Sequence, residues 1–471
     1  MKKQILVLIS TLVFTLLFYN ESVGLNLSIF GFVLIGLILF QFPLAIKQLN
    51  FKIALVSCVL ILLSNAWLFG PEMFILTFIS LALVRIYAQY SNFALFLAPI
   101  IVVIQGLATF VRVFQKPLPI LTTSKSQLLR NSVAYIVIPF VFIFGFGFIY
   151  IVNSNTLSKF FTAINFSIDG VFFLILFLGF YLMFSFWDGW IYSNIQTFSN
   201  SFKNNLSKKI FQKNNSFLTE EQELKSGQIT LFLLNIFLII FIGIYIYEQF
   251  FQTTNILTLS QDTHQRVYSL ITSIIMAIVV ILFFFKDRLN FTENKNSLVK
   301  LAYTWIGLNS VLIAITAIKT IDYISFFGLT QQRLGVLWFL ILCTFGLWFT
   351  YLKVSKIKTN FYLVNKMSWA LYIGLVVLVV PNWSACITTY NLTNKKYDES
   401  YLRFSLRYNE KQLIEYYKNQ PQSDIYSSAY YKIENKQSFN FLSKELYYET
   451  INLANYPKPM SEVILTEAVA N

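Results

Sequence analysis

Residues 229–248 read ITLFLLNIFLIIFIGIYIYE, and this stretch decides the fold. Its side chains are almost all apolar, and a helix of about 20 such residues crosses the roughly 30 Å of bilayer hydrocarbon. A helix satisfies its own backbone hydrogen bonds, so a helical span is the expected structure. A strand of a membrane β-barrel would alternate apolar and polar residues, and this stretch does not.

The rest of the chain repeats this pattern. Of its 471 residues, 56% are hydrophobic and only 12% are charged, and the mean hydropathy is +0.61. A soluble domain carries about 25% charged residues, so this chain lacks the polar surface of a soluble protein. We predict an all-α polytopic membrane protein with about 12 (11–13) transmembrane helices and a small C-terminal helical domain. The predicted spans are 5–19, 25–41, 53–69, 73–88, 92–114, 132–152, 170–187, 229–248, 267–285, 298–318, 334–352 and 367–383.

Lysine-rich stretches between the spans predict the orientation. Residues 188–228, 286–300 and 353–366 carry most of the loop lysines of the second half. The positive-inside rule places them in the cytoplasm, so loops 249–266 and 319–333 face outward with everything after the last span. The N-terminal lysines favour a cytoplasmic start, whereas twelve spans with an outward C-terminus require an outward one. Eleven or thirteen spans would remove this conflict.

The predicted domains are a transmembrane domain, 1–385, and an extramembrane tail, 386–471. The transmembrane domain includes a basic cytoplasmic loop at 196–226. In the tail, residues 398–419 and 437–455 have apolar residues at roughly helical spacing. We expect each of these two stretches to form one amphipathic helix, packed on the membrane face or on a partner.

The net charge of +14 and the three cysteines exclude several classes of partner and site. The basic residues lie in loops between spans, where they meet anionic lipid, so the lipid bilayer is the predicted partner and nucleic acid is not. The cysteine spacing gives neither a metal motif nor a disulfide framework. We predict no metal and no cofactor.

The single histidine lies in a polar run, TLSQDTHQRVY, residues 258–268. If a helix begins near Ser260, then Gln261, His264 and Tyr268 share one of its faces. Asp262 flanks this stripe at the outward end of the span. The stripe is either part of a binding site or a set of interfacial side chains hydrogen-bonded at the level of the lipid headgroups.

A second polar stretch, YISFFGLTQQRLG at 323–335, lies between two later spans. Gly328 suits a left-handed helix end, and Thr330 suits the N-cap of the next helix. Arg333 would then oppose the dipole of that helix, which favours an anionic partner: a lipid phosphate, an aspartate or a ligand. A snorkelling arginine is the alternative.

These outward segments share one membrane face because even numbers of spans separate them, and PNWSACITTYN (381–391) joins them. The predicted outer-face polar site comprises Gln261, Asp262, His264, Tyr268, Asp322, Thr330, Arg333 and Asn391. Within the spans, the polar residues Gln105, Asn235, Trp305 and Asn309 are expected to join helices.

The combination of SQDTHQRVY, GLTQQRLG and NWSACITTYN resembles a bacterial membrane family, domain of unknown function 4173, which is close to 4153. The resemblance covers residues 20–415 and is best for members of the Bacteroidetes type. It implies a multi-pass protein of the bacterial inner membrane, and it implies no activity. Relatives often show two tyrosines where this chain has Phe326 and Phe327, so those hydroxyls are missing here.

Three functions fit these patterns. A binding, sensing or scaffold protein with an outward polar site, and with an envelope or membrane protein as partner, is the main prediction. A small-molecule or ion transporter is the alternative, with permeation along the buried amides. A membrane-embedded enzyme acting on a lipid-linked substrate is disfavoured, because a catalytic metal site needs about three protein ligands and a single histidine makes such a site hard to build.

Overall fold

The structure is a computed structural model, and it describes residues 3–115, 170–206, 219–250, 259–285, 288–292 and 294–459. Within these ranges the side chains of some stretches, 259–271 among them, are not described. The described part is helical and contains no β-strand. The helices are α1 (Lys3–Phe18), α2 (Leu25–Gln41), α3 (Leu49–Trp67), α4 (Pro71–Gln89), α5 (Ala98–Gln115), α6 (Gly170–Asp188), α7 (Trp190–Ser201), α8 (Glu220–Phe250), α9 (Leu259–Phe284), α10 (Asn296–Phe327), α11 (Gln331–Ser355), α12 (Asn360–Val379), α13 (Trp383–Asn394), α14 (Glu410–Tyr417), α15 (Asp424–Gln437) and α16 (Leu446–Glu449).

Seven of the described helices are long and apolar enough to cross a membrane: α3, α4, α6, α8, α10, α11 and α12. Shorter apolar helical stretches lie in α1, α2, α5 and α9. Eleven of the twelve predicted spans fall on these helices, and the twelfth, 132–152, lies outside the described residues. The prediction of an all-α polytopic membrane protein is confirmed, whereas the exact number of spans stays a prediction.

Several helices extend beyond the apolar stretches that predicted them. α8 begins at Glu220, nine residues before the predicted span, and three glutamates lie in its first turn. Acidic side chains there interact favourably with the positive end of the helix dipole. Hydropathy marks only the part of a helix that lies in hydrocarbon, so the polar extensions were not predicted.

The chain divides into two compact units. The first comprises Met1–Phe93, Leu97–Thr197 and Phe439–Leu446, and the second comprises Ala94–Phe96, Phe198–Ser438 and Tyr447–Asn471. The second unit therefore contains α8–α12 together with most of the tail. The predicted domain boundary at residue 385 falls within this second unit, and the predicted division into two domains stays a prediction.

In the first unit, α1 packs on α6, and α3 packs on α4 and α2. Two hydrogen bonds between buried side chains cross these contacts. The indole nitrogen of Trp187 donates to the hydroxyl of Ser10 at 3.2 Å, and the amide of Asn65 donates to the hydroxyl of Ser28 at 3.0 Å. Such bonds join helices in lipid, where an unpaired polar group is costly.

In the second unit, α10 packs on α8, α9 and α11, and α11 also packs on α12. Lys353, counted above among the loop lysines, is buried in α11 and donates to the carbonyl of Phe285 at 2.6 Å. Asn360 donates to the carbonyl of Leu282 at 3.3 Å. A cation and an amide thus bond the carbonyls at the C-terminal end of α9, where a positive charge is favoured.

The tail differs from the two predicted helices. Residues 398–419 form a short π-helical turn, Tyr401–Ser405, and then α14, with a break at Tyr408, whose φ is +61°. Asn409 holds this break, because its amide donates to the carbonyl of Leu402 and to the hydroxyl of Thr388, both at 2.9 Å. The prediction of one continuous helix is wrong, since side-chain bonds from Asn409 replace the helical ones.

The second predicted tail helix is also wrong. Residues 437–455 contain only single turns and the four-residue α16. The longer helix of this region is α15, whose buried residues include Ile425, Tyr426 and Ile433. These side chains pack against α14, and tyrosines at the other positions made the apolar spacing of α15 hard to recognise.

Candidate functional site

The turn between α10 and α11 forms the centre of the candidate site. α10 ends at Gly328, whose φ of +82° and ψ of 176° suit glycine alone among the common residues. Its N–H donates to the carbonyl of Ile324 at 2.9 Å. The predicted role of Gly328 as the residue that ends a helix is confirmed.

Thr330 starts the next helix. Its backbone is extended, and its hydroxyl accepts a hydrogen bond from the N–H of Arg333 at 3.3 Å. This bond satisfies one of the N–H groups that the first turn of α11 leaves without a helical partner. The predicted N-cap is therefore present, and it fixes where Arg333 leaves the helix.

Arg333 turns back over the end of α10. Its guanidinium donates to the carbonyl of Phe327 at 3.0 Å and to the carbonyl of Gly328, and it lies 4.5 Å from the ring centroid of Tyr323. A cation in the first turn of α11 opposes the dipole of that helix, but the same cation is favourable at the C-terminal end of α10. The aromatic face adds a cation–π attraction.

Asn391 holds the turn from α13. This side chain is buried, and its amide forms two hydrogen bonds with the backbone of Leu329. The oxygen accepts from the N–H at 2.7 Å, and the nitrogen donates to the carbonyl at 2.8 Å. The turn lies outside any helical ladder, so Asn391 supplies the partners that its backbone would otherwise lack.

The segment after α13 adds two more bonds to the same turn. The ammonium of Lys396 donates to the carbonyl of Ser325, and the hydroxyl of Tyr401 accepts from the N–H of Gln331 at 2.8 Å. Burial raises the pKa of Tyr401, so its hydroxyl stays protonated at neutral pH. The side chain of Gln331 reaches the hydroxyl of Ser384 at 3.5 Å. We call residues 323–333 with Asn391, Lys396 and Tyr401 the turn cluster.

The structure brings together three of the predicted outer-face residues, Thr330, Arg333 and Asn391. Asp322 contacts Lys319 instead, at 3.7 Å, and no ion pair joins Asp322 to Arg333 among the described residues. The side chains of Gln261, Asp262, His264 and Tyr268 lie outside the description, although their backbone belongs to α9, which begins at Leu259 as the sequence predicted near Ser260. Their place in one site with Arg333 stays a prediction.

Of the four predicted intramembrane polar residues, Gln105 and Asn235 bond a neighbouring helix, whereas no interhelical bond is seen for Trp305 or Asn309 within the described part of the chain. Gln105 of α5 donates to the carbonyl of Ser185 of α6 at 3.5 Å. Asn235 of α8 donates to the carbonyl of Leu301 of α10 at 3.0 Å. Both bonds join two helices. Asn309 bonds within its own helix, to the carbonyl of Trp305 at 2.8 Å.

The described residues contain no group of three or more histidine, cysteine, aspartate or glutamate side chains that could hold a metal ion. The chemistry available in the turn cluster is hydrogen bonding and charge. Its cation, Arg333, is half-buried, and a guanidinium has five N–H donors, more than its two carbonyl partners use.

Sequence reasoning missed Tyr401, Lys396 and Tyr323. Tyr401 lies in the stretch 398–419, whose spacing predicts an amphipathic helix, and its hydroxyl bond depends on a turn 70 residues earlier. Tyr323 begins the polar stretch 323–335, and nothing in that sequence indicates its contact with Arg333. Their contacts depend on how α13 folds back, and the local sequence gives no signal for that.

These features define a multi-pass helical membrane protein with a polar turn at the end of two spans, held by the segment that follows the last span. A family profile named Domain of unknown function (DUF4153) matches residues 51–415. The chain belongs to this family, because the match covers well over half of its length. The predicted resemblance to an uncharacterised family is confirmed, and the matching profile is the second of the two that the resemblance named. The assignment to the Bacteroidetes type stays a prediction. No curated protein and no solved structure matches the chain.

Proposed function

We propose that this protein is a binding or sensing protein of the bacterial inner membrane, in which the tail binds an extracytoplasmic partner and passes that event to the spans. The observation that carries this proposal is the set of hydrogen bonds from Asn391, Lys396 and Tyr401 to the α10–α11 turn. These bonds join the tail directly to the turn between α10 and α11. A movement of the tail on binding would therefore be transmitted to the ends of both spans.

Arg333 is the expected contact for an anionic group of the partner, such as a carboxylate or phosphate. Its guanidinium keeps donors beyond those that face the two carbonyls, and arginine pairs well with planar anions. Two exposed phenylalanines lie near bonded residues of the turn cluster in the sequence: Phe326 at the end of α10 and Phe404 in the tail are 72% and 73% exposed. Exposed aromatic residues beside an arginine are typical of interface centres.

The sidedness of the tail is testable with the native cysteines. Cys386 of α13 is exposed, whereas Cys58 and Cys343 are buried in spans. We expect a membrane-impermeant maleimide to label intact cells at one cysteine per chain, and the Cys386→Ser variant to remain unlabelled. Labelling that requires cell lysis would place the tail in the cytoplasm and would overturn the extracytoplasmic part of the proposal.

The partner is testable by photocross-linking in living cells. A photoreactive amino acid at position 404, in the exposed π-helical turn, should give a discrete protein adduct. The matched control is position 345, where the phenylalanine is 47% exposed on α11. That side chain belongs to a span, so its expected adducts are with lipid.

The Tyr401→Phe and Arg333→Gln variants should weaken the adduct at position 404 while the chain stays at its normal level in the membrane. Lipid adducts alone at both positions would contradict the proposal. So would an adduct at 404 that neither variant changes, because the turn cluster would then have no part in the contact.

Transport of a small neutral molecule is the second candidate function. The observation that favours it is the set of buried amides at the contact between α8 and α10. If the protein is such a transporter, uptake of the small molecule into proteoliposomes should fall when the amides of Asn235 and Asn309 are removed. The same uptake should not depend on Tyr401.

A further inference from the structure

The contact between α8 and α10 contains polar atoms without partners inside the apolar core. Asn235, Trp305 and Asn309 are 5%, 6% and 0% exposed. The amide oxygens of both asparagines and the indole nitrogen of Trp305 have no hydrogen-bond partner among the described residues. We call this place the amide seam.

The orientation of the two amides is fixed by their neighbours. The nitrogen of Asn235 faces the carbonyl of Leu301, and the nitrogen of Asn309 faces the carbonyl of Trp305. Exchanging nitrogen and oxygen in either amide would put two acceptors together, so both oxygens point away from those carbonyls.

The three side chains also lie along one line. Leu301, Trp305 and Asn309 follow one another at four-residue intervals, which places them on one face of α10 over about 12 Å of helix. Side chains lean toward the N-terminus of a helix, so the indole covers the turn on which the Asn235 amide docks. The unpaired donor of Trp305 and the unpaired acceptor of Asn309 therefore share the face of α10 on which the Leu301 carbonyl holds the Asn235 amide.

Other buried polar side chains of α10 do have partners, and the remaining unpaired buried atoms of the described residues lie outside α8 and α10. Thr316 and Thr320, further along α10, each donate to a carbonyl one turn earlier at 2.8 Å. Trp187, 1% exposed in the first unit, donates to Ser10. The unpaired atoms of α10 and α8 are therefore concentrated at the amide seam, and a buried polar group in apolar surroundings calls for a partner such as water or a ligand.

We propose that the amide seam binds a small neutral molecule that both donates and accepts hydrogen bonds, of which water is the smallest. It would accept from the indole N–H of Trp305 and donate to the oxygens of Asn235 and Asn309. A neutral guest is expected because these three side chains carry no charge, and an ion in the membrane interior needs a counter-charge or many dipoles. This inference concerns the spans and does not depend on the proposed role of the tail.

Hydroxyl-radical footprinting of the full chain in lipid nanodiscs, in water enriched in oxygen-18, tests the proposal. X-rays generate radicals from a bound water where it lies, so Trp305 should be oxidised several-fold faster than Trp187 and should incorporate oxygen-18. Trp187 is the matched control, since it is also buried, at 1% exposed against 6% for Trp305, and its N–H is already bonded. If Trp305 is oxidised as slowly as Trp187, the proposal is wrong.

Two variants test whether the asparagines form the binding site, and one added solute tests which class of molecule binds there. Asn309→Leu and Asn235→Leu should each reduce the oxidation of Trp305 to the level of Trp187, whereas Thr316→Val should leave it unchanged. Oxidation that persists in both leucine variants would overturn the site, provided that thermal unfolding shows them folded. Added formamide separates the two sources: it lowers the oxidation of Trp305 if the seam admits larger neutral molecules, and leaves it unchanged if water alone binds.

Discussion

Replacing Gly328 by alanine should strongly destabilise the second unit. The backbone there combines a φ of +82° with a ψ of 176°, a region almost closed to residues with a Cβ, at a cost of about 1–3 kcal/mol. The added methyl would also lie 2.7 Å from the side-chain oxygen of Asn391, and closer still to the carbonyl oxygen of Lys396. Overpacking of this kind costs a further 1–3 kcal/mol or so, and it would displace the tail from the turn.

The buried Cys343 of α11 reports this loss. In a Cys386→Ser background, the temperature at which a thiol-reactive dye labels the detergent-solubilised protein should fall clearly for Gly328→Ala. Gly335→Ala is the matched control, because Gly335 lies in α11, the helix of Cys343, and nothing stands within 4 Å of its added Cβ. Alanine in a helix interior is favoured over glycine by about 0.5–1 kcal/mol, so that control should be neutral or more stable. Equal melting of both variants would show that the tail does not hold the turn.

The turn itself was predictable because its signals are local. A glycine and a threonine two residues apart, between two apolar spans, predict the end of one helix and the start of the next. The position of Arg333 in the first turn followed from the same reasoning. The partners of Arg333 did not follow from it. The sequence predicted an anionic partner, whereas the carbonyls at the end of α10 and the ring of Tyr323 stabilise the cation.

The tail shows where local patterns are insufficient. Apolar residues at helical spacing in 398–419 fit a continuous helix. The side-chain amide of Asn409 instead donates to the carbonyl of Leu402, and the helix is interrupted there. That bond forms because Thr388 of α13 holds the other side of the same amide nitrogen. Spans are predictable because lipid imposes one length and one polarity on each of them. The tail is shaped by contacts between distant residues.

Replacing Lys432 by methionine should destabilise the tail by about 2–4 kcal/mol. Lys432 of α15 forms an ion pair with Glu410 of α14, whose side chain is only 2% exposed and also accepts from the hydroxyl of Tyr448 at 3.4 Å. Removing one partner of a buried pair leaves a charge that water cannot reach, a change that costs about 3–5 kcal/mol when both partners are buried. The lysine is 39% exposed, so we expect less than this full value.

Native-state proteolysis of the full-length protein measures this loss, since cleavage within α14 and α15 requires local opening of the tail. Lys418→Met is the matched control: Lys418 lies 2.7 Å from Glu415, but both side chains are about half exposed. An exposed pair of this kind contributes about 0–0.5 kcal/mol, so the control should be cleaved at nearly the rate of the unchanged protein. In a Glu410→Gln background, Lys432→Met should cost little, because no buried charge is left behind. An equal cost in both backgrounds would mean that Lys432 stabilises the tail through its methylene stem and not through Glu410.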